Sequence, residues 1–214
     1  MPTITTLEPE RRGGRVRLEV DGRALGTLPD SLVLQRGLRR GQTIDEGALE
    51  ALIRDGAHAD ALEAALNCLS YRPRSRKELE RHLRRKSHPE DAIRRAANRC
   101  EELGYLDDEA FARAFVRDRI RLRPRGRYRL RSELLERGIA PDLADAAITS
   151  AFQEIGTSES ELLRGIAEVR ASRLNRAEPV TARRRLSAWL LRRGFARADV
   201  RRVVDDLLPE ADLD

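Results

Sequence analysis

Aromatic residues make up only 4% of this 214-residue chain, and lysine is almost missing: of 42 basic residues, all but Lys77 and Lys86 are arginine. So few rings leave few platforms on which bases could stack, which argues against sequence-specific reading of a single strand. No run of about eighteen apolar residues exists, so no membrane-spanning helix is expected. Residues 1–12 carry no apolar signal core, and a cytoplasmic location is expected. The two cysteines, Cys68 and Cys100, are a poor basis for a disulfide framework; each sits inside a helical pattern and reads as a small buried hydrophobe. His58, His82 and His88 have no companions at ligand spacing, so neither a metal nor a cofactor is expected. The phosphate-loop and dinucleotide glycine patterns are also missing.

What remains of possible chemistry is thin. Asp107/Asp108 and Asp205/Asp206 are paired carboxylates, but neighbours on a helix point apart, and Asp107 serves better as a cap. His82 lies among Glu80, Arg81 and Arg84 and reads as a solvated or groove-edge residue, while Trp189 with Leu186 and Leu190 reads as core. No catalytic residue is assigned, and the chain is expected to bind rather than to catalyse.

Charge supplies the positive signal. Residues 72–99 hold eleven cations against four carboxylates, residues 113–137 ten against three, and residues 183–202 eight against one. Solvated helix faces and a general arginine excess account for single residues but not for three equal basic blocks. The last ten residues reverse the sign, with Asp205, Asp206, Glu210, Asp212 and Asp214 and no cation. An extended positive surface implies a polyanionic or acidic partner.

Patterning gives the architecture. Residues 15–20 alternate strictly, with Val16, Leu18 and Val20 on one face, and Asp21-Gly22 suits a type I′ hairpin turn pairing Leu18 with Leu25. Asp30 is expected to cap a short helix. Thr43 and Glu46 are expected to box a helix that stops at Gly56. Beyond it the pattern is all helical, with starts at Asp60, Ser75, Pro89, Asp107 or Asp108, Pro141 and Ser158 and stops at Gly104, Gly138 and Gly194. The ends at Leu83–Ser87, Leu134–Gly138 and Leu190–Gly194 align without gaps. The expected fold is mainly α: three tandem three-helix repeats forming an elongated, curved stack, after a small N-terminal α+β cap with a β-hairpin. The boundaries are residues 1–56 for the cap, 57–104 and 105–155 for two repeats, and 156–214 for a third with an acidic tail.

Between the two inner helices of the middle repeat, Arg121, Arg123, Arg125, Arg127, Arg129 and Arg131 alternate across a break at Pro124–Gly126. In continuous helix that spacing would scatter them; an extended link can fan several guanidinia to one side, beside the free amides of the next helix. Arg183, Arg184, Arg185, Arg192 and Arg193 could continue the surface on the third repeat. These eleven are the candidate partner-binding residues.

Gly104-Tyr105-Leu106-Asp107-Asp108, then Phe111-Ala112, Phe115-Val116 and Arg119, then Gly126, Leu130, Glu133-Leu134 and Arg137-Gly138-Ile139 resemble the RecX family, regulators of the RecA recombinase. Ala64, Leu66, Leu69, Arg72-Pro73-Arg74-Ser75 and Glu78-Leu79 carry the likeness into the first repeat. Ser87 departs from it, standing where the family pattern has glycine. The resemblance implies a non-enzymatic monomer that lies along the RecA filament and hinders ATP turnover, filament growth and strand exchange in recombinational repair. Its partners would be that filament and, with it, single- or double-stranded DNA. The rival reading is a DNA-binding module, sequence-nonspecific or helix-turn-helix-like, acting without RecA.

Overall fold

In the computed structural model, residues 1–10, 14–174 and 178–209 are described, and they form two compact units, Met1–Leu106 and Asp107–Asp214. The chain is mainly helical, with a three-stranded antiparallel sheet at its start.

The first unit begins with strands β1 (Ile4–Pro9), β2 (Arg15–Val20) and β3 (Arg23–Pro29), in that spatial order. Asp21 and Gly22 both take positive φ, 50° and 73°, as a type I′ turn requires. Val20 pairs with Arg23 as expected, but Leu18 pairs with Gly26 rather than Leu25. A bulge after Glu19–Ala24 leaves Leu25 without a partner, and its side chain is exposed. Helix α1 (Asp30–Gln35) has Pro29 at its N-cap position, and Asp30, expected to cap it, is instead its first helical residue, whose Oδ1 accepts from the Ser31 amide at 2.6 Å.

Helix α2 (Glu46–Tyr71) is where expectation and structure part most widely. It is capped by Asp45, whose Oδ1 accepts from the Ala48 amide at 2.8 Å, not by a Thr43–Glu46 box. It does not stop at Gly56. It runs on for 26 residues, so the boundary drawn between cap and first repeat falls inside a helix. Gly56 is buried against Leu28 of β3, and an added Cβ would overlap that leucine. The glycine permits close packing of helix on sheet, and the alanines at 57 and 59 favour continuing the helix past it. The first half of α2 closes a small core of Ile4, Leu18, Val20, Leu28, Ile44 and Leu52. Its second half packs on α3 (Arg76–Arg85) and α4 (Glu90–Glu102) around Ala65, Leu79, Leu83, Ile93 and Cys100. Arg15 of β2 reaches Asp60 of α2 at 2.6 Å, tying sheet to helix.

The second unit holds two further triplets: α5 (Asp108–Leu122), α6 (Arg127–Glu136) and α7 (Pro141–Ile155), then α8 (Glu159–Ala171), α9 (Pro179–Arg192) and α10 (Arg197–Leu207). Asp107 caps α5 by accepting from the Glu109 and Ala110 amides, and Ser158 with Glu161 forms a complete capping box on α8. Each triplet has its own core, one centred on Val116, Leu130, Leu134 and Ile148, the other on Leu163, Leu186, Leu190 and Val204. The helical period would turn Leu122 inward, but as the last residue of α5 it is exposed, and Val116 and Ile120 fill the apolar face. The pattern also predicts an interruption at Arg176–Pro179; residues 175–177, and the half of the acidic tail from Glu210 on, lie outside the described residues.

The end of the second helix is built alike in all three triplets. Ser87, Gly138 and Gly194 sit at the same place with φ of 62°, 86° and 83°. The left-handed turn is kept even where serine replaces glycine.

Candidate functional site

The six-arginine row of the middle repeat lies on the link between α5 and α6 and on the helix ends beside it. Pro124 ends α5, and Gly126 caps α6. The link is not open. The Gly126 amide donates to the Arg193 carbonyl at 2.9 Å, and Arg193 Nη1 donates to the Pro124 carbonyl at 2.9 Å. At the start of α6, the Arg127 amide donates to Glu159 Oε1 at 2.8 Å. Two link amides that could have faced an anion are therefore held by the third triplet.

Carboxylates of α6, α7 and α8 divide the row. Arg129 Nε contacts Glu133 at 2.9 Å, and Arg131 Nε contacts Asp145 at 2.9 Å. Arg127 lies 3.4 Å from Glu159, donates to Thr149, and covers the Phe152 ring at 5.2 Å. Arg125 Nε is 4.0 Å from Glu133. Arg121 and Arg123 are exposed and have no ion pair among the described residues. In the third triplet Arg183 is held by Asp205 and the Leu208 carbonyl. Arg184, Arg185 and Arg192 are exposed and unpaired among the described residues.

Glu133 is the residue that organises the paired set. It is buried on α6, receiving Arg119 at 3.0 Å and Arg129 at 2.9 Å, while Arg137 donates to its backbone carbonyl at 2.6 Å. Burial alone would push its carboxyl up; the hydrogen bonds from Arg119 and Arg129 outweigh that and hold it below the usual range. Arg119 and Arg137 also lie over the Phe115 ring, each 4.5 Å from its centre. The sequence carried a signal for this knot. Leu130, Glu133 and Leu134 fall at helical spacing on one face, so a carboxylate stands in an apolar stripe and needs cationic partners.

Trp189 departs from a plain core reading. It packs on the third core, yet its ring carries Arg193 at 4.0 Å and Arg170 at 5.5 Å. Burial, then the neighbouring Arg125 and Arg170, lowers the Arg193 pKa. The scarce rings are also better displayed than expected: all three tyrosines, Tyr71, Tyr105 and Tyr128, are exposed. Each stands at a helix end or in a loop, where no apolar stripe holds it inward.

Tandem three-helix domains, each with its own core, place the chain in the helical-repeat class. Residues 61–100 match the model of the RecX first three-helix domain, and residues 107–148 that of the second. The chain is 33% identical over 153 residues to the regulatory protein RecX of Prosthecochloris aestuarii, covering 69% of this chain and 93% of that protein. It is 28% identical over 208 residues to the regulatory protein RecX of Leuconostoc citreum, covering 97% of this chain and 77% of that one. A crystal structure of regulatory protein RecX superposes with a TM-score of 0.72 at 23% identity, over 96% of this chain and all of that one. The chain belongs to the RecX family of regulatory proteins. Among the described residues, no helix is long and apolar enough to cross a membrane.

Proposed function

We propose that this protein regulates the RecA recombinase by stoichiometric contact with its nucleoprotein filament, slowing ATP hydrolysis, filament growth and strand exchange, and performing no catalysis of its own. It does so as a cytoplasmic monomer, each repeat adding a weak contact to the same filament. Family membership supports the regulatory role. The observation that carries the mechanism is the set of exposed, unpaired cations Arg121, Arg123, Arg184, Arg185 and Arg192, which no carboxylate among the described residues neutralises. Guanidinia left in this state suit phosphates or carboxylates of a large anionic assembly.

The test is a titration of this protein into a RecA ATPase assay on single-stranded DNA, beside a gel shift on bare DNA. The wild type is expected to lower the ATPase rate, and Arg121→Glu combined with Arg123→Glu to raise the concentration needed by about tenfold, as two lost charged contacts imply. Tight binding to bare duplex with no effect on RecA would favour the DNA-binding module instead.

A further inference from the structure

We infer that Arg125, Arg170 and Arg193, gathered around Trp189, form a subsite for a phosphodiester of a nucleic-acid strand. Arg193 is the hub. Its guanidinium lies 4.0 Å from the centre of the Trp189 ring, which Arg170 approaches at 5.5 Å, and it is anchored by the Pro124 carbonyl next to Arg125 in the chain. The three cations thus come from the α5–α6 link, the end of α8 and the end of α9, a convergence that only the docking of the link produces.

Like charges brought together at partly buried positions need a counter-charge. The chain supplies little of it. Glu133, 4.0 Å from Arg125, is already engaged by Arg119 and Arg129, and neither Arg170 nor Arg193 has a carboxylate partner among the described residues. The Nε atoms of Arg125 and Arg170 are buried and have no hydrogen-bond partner among the described residues. A guanidinium Nε–H left in this state is a donor waiting for an acceptor. Burial first, and then repulsion from Arg125 and Arg170, lowers the Arg193 pKa, and a bound anion would relieve the repulsion.

Two features favour a phosphate strand over a protein carboxylate. The unpaired Arg121 and Arg123 precede Arg125, and the unpaired Arg192 precedes Arg193, so cations continue along the chain from the site. A polymer whose charge repeats every few ångströms meets such a series; one carboxylate would leave the flanking cations unanswered. Tyr128, exposed and three residues from Arg125, offers a ring on which a base can stack. The subsite is independent of RecA, so its success or failure is read without the recombinase.

Trp189 is the only tryptophan in the chain, which makes the site its own reporter. Oligothymidylate is titrated against the full-length protein while tryptophan emission is followed, with polyglutamate as the second arm. A saturable change with oligothymidylate is expected, weakening on the order of 20-fold between about 50 and 200 mM salt if three phosphates are neutralised. Arg125→Gln with Arg170→Gln should weaken binding about tenfold or more while leaving the circular dichroism spectrum unchanged. Trp189→Phe keeps a ring beneath the cations and should retain binding of a labelled oligonucleotide by anisotropy while losing the emission signal. No emission change with oligothymidylate, equal affinity in the double glutamine variant, or a response to polyglutamate alone would each overturn the assignment.

Discussion

Gly126 lies so close against the Gly194 carbonyl that it has no room for a side chain, and Gly194 in turn is closed in by Arg129. A Cβ on Gly126 would come within 2.6 Å of the Phe195 nitrogen and nearer still to the Gly194 carbonyl; one on Gly194 would meet the Arg129 nitrogen at 2.5 Å. Both obstacles are backbone and cannot swing aside. Gly126→Ala is expected to destabilise the second unit by about 2–3 kcal/mol through overpacking. Gly194→Ala should cost more, because its φ of 83° adds the strain of a left-handed alanine. Gly165→Ala, on α8 with open space around it, is the control and should stabilise by about 0.5–1 kcal/mol. Urea denaturation of the three variants checks the order.

The Glu133 knot makes a pH prediction. Its carboxyl is held below the usual range in the folded protein, so the stability it contributes is fully present above its unfolded pKa of about 4.3 and disappears as pH falls through the lower folded value. Glu133→Gln should cost about 2 kcal/mol at pH 7, since the negative charge is lost and one of the two oxygens that accept from Arg119 and Arg129 becomes an NH2 donor. The gap between wild type and variant should close as the pH is taken down towards 3. Paired urea melts at pH 7, 4 and 3 would show it, and a gap that stays constant would mean the carboxylate is not the source.

Ser87 stores strain that its counterparts Gly138 and Gly194 avoid. A serine at φ 62° costs about 1–2 kcal/mol against a right-handed conformation, partly offset by the greater unfolded freedom of glycine. Ser87→Gly is expected to stabilise the first unit by roughly 0.5–1 kcal/mol, and Gly138→Ser to destabilise the second by a similar amount. Differential scanning calorimetry is the measurement.

Cys68 and Cys100 are both free and buried in the first three-helix core, and burial followed by the charge of Glu101 pushes the Cys100 thiol up. A folded sample should react only slowly with an aromatic disulfide reagent, and both thiols should react at once after unfolding in denaturant.

How much could be read beforehand follows from the range of the interaction. The capping residues Asp107 and Ser158 and the type I′ turn at Asp21-Gly22 depend on residues within three or four positions, and pattern alone located them. Gly56 was misread because the reason for it lies in Leu28, far away in sequence: the same residue type that ends a helix also lets one lie close on a sheet. The arginine row was visible as charge, but its division was not. Whether a guanidinium stays free depends on where Glu133, Asp145 and Glu159 come to rest, which is a property of packing rather than of spacing. Arg170 and Trp189 were missed as partners because they belong to another triplet from Arg125, and only the Gly126–Gly194 approach puts the three in one place.

Helix α2 bears on how this protein can be dissected. Since one uninterrupted rod carries both the face that shields the hairpin and the face that completes the first triplet, the sheet is no detachable ornament. A shortened version starting at residue 57 would begin mid-helix, stripped of its Asp45 anchor and of the Arg15 clasp on Asp60. Any surgical separation of the amino-terminal portion has to leave the rod whole, which means the two cores must be inherited, and lost, together.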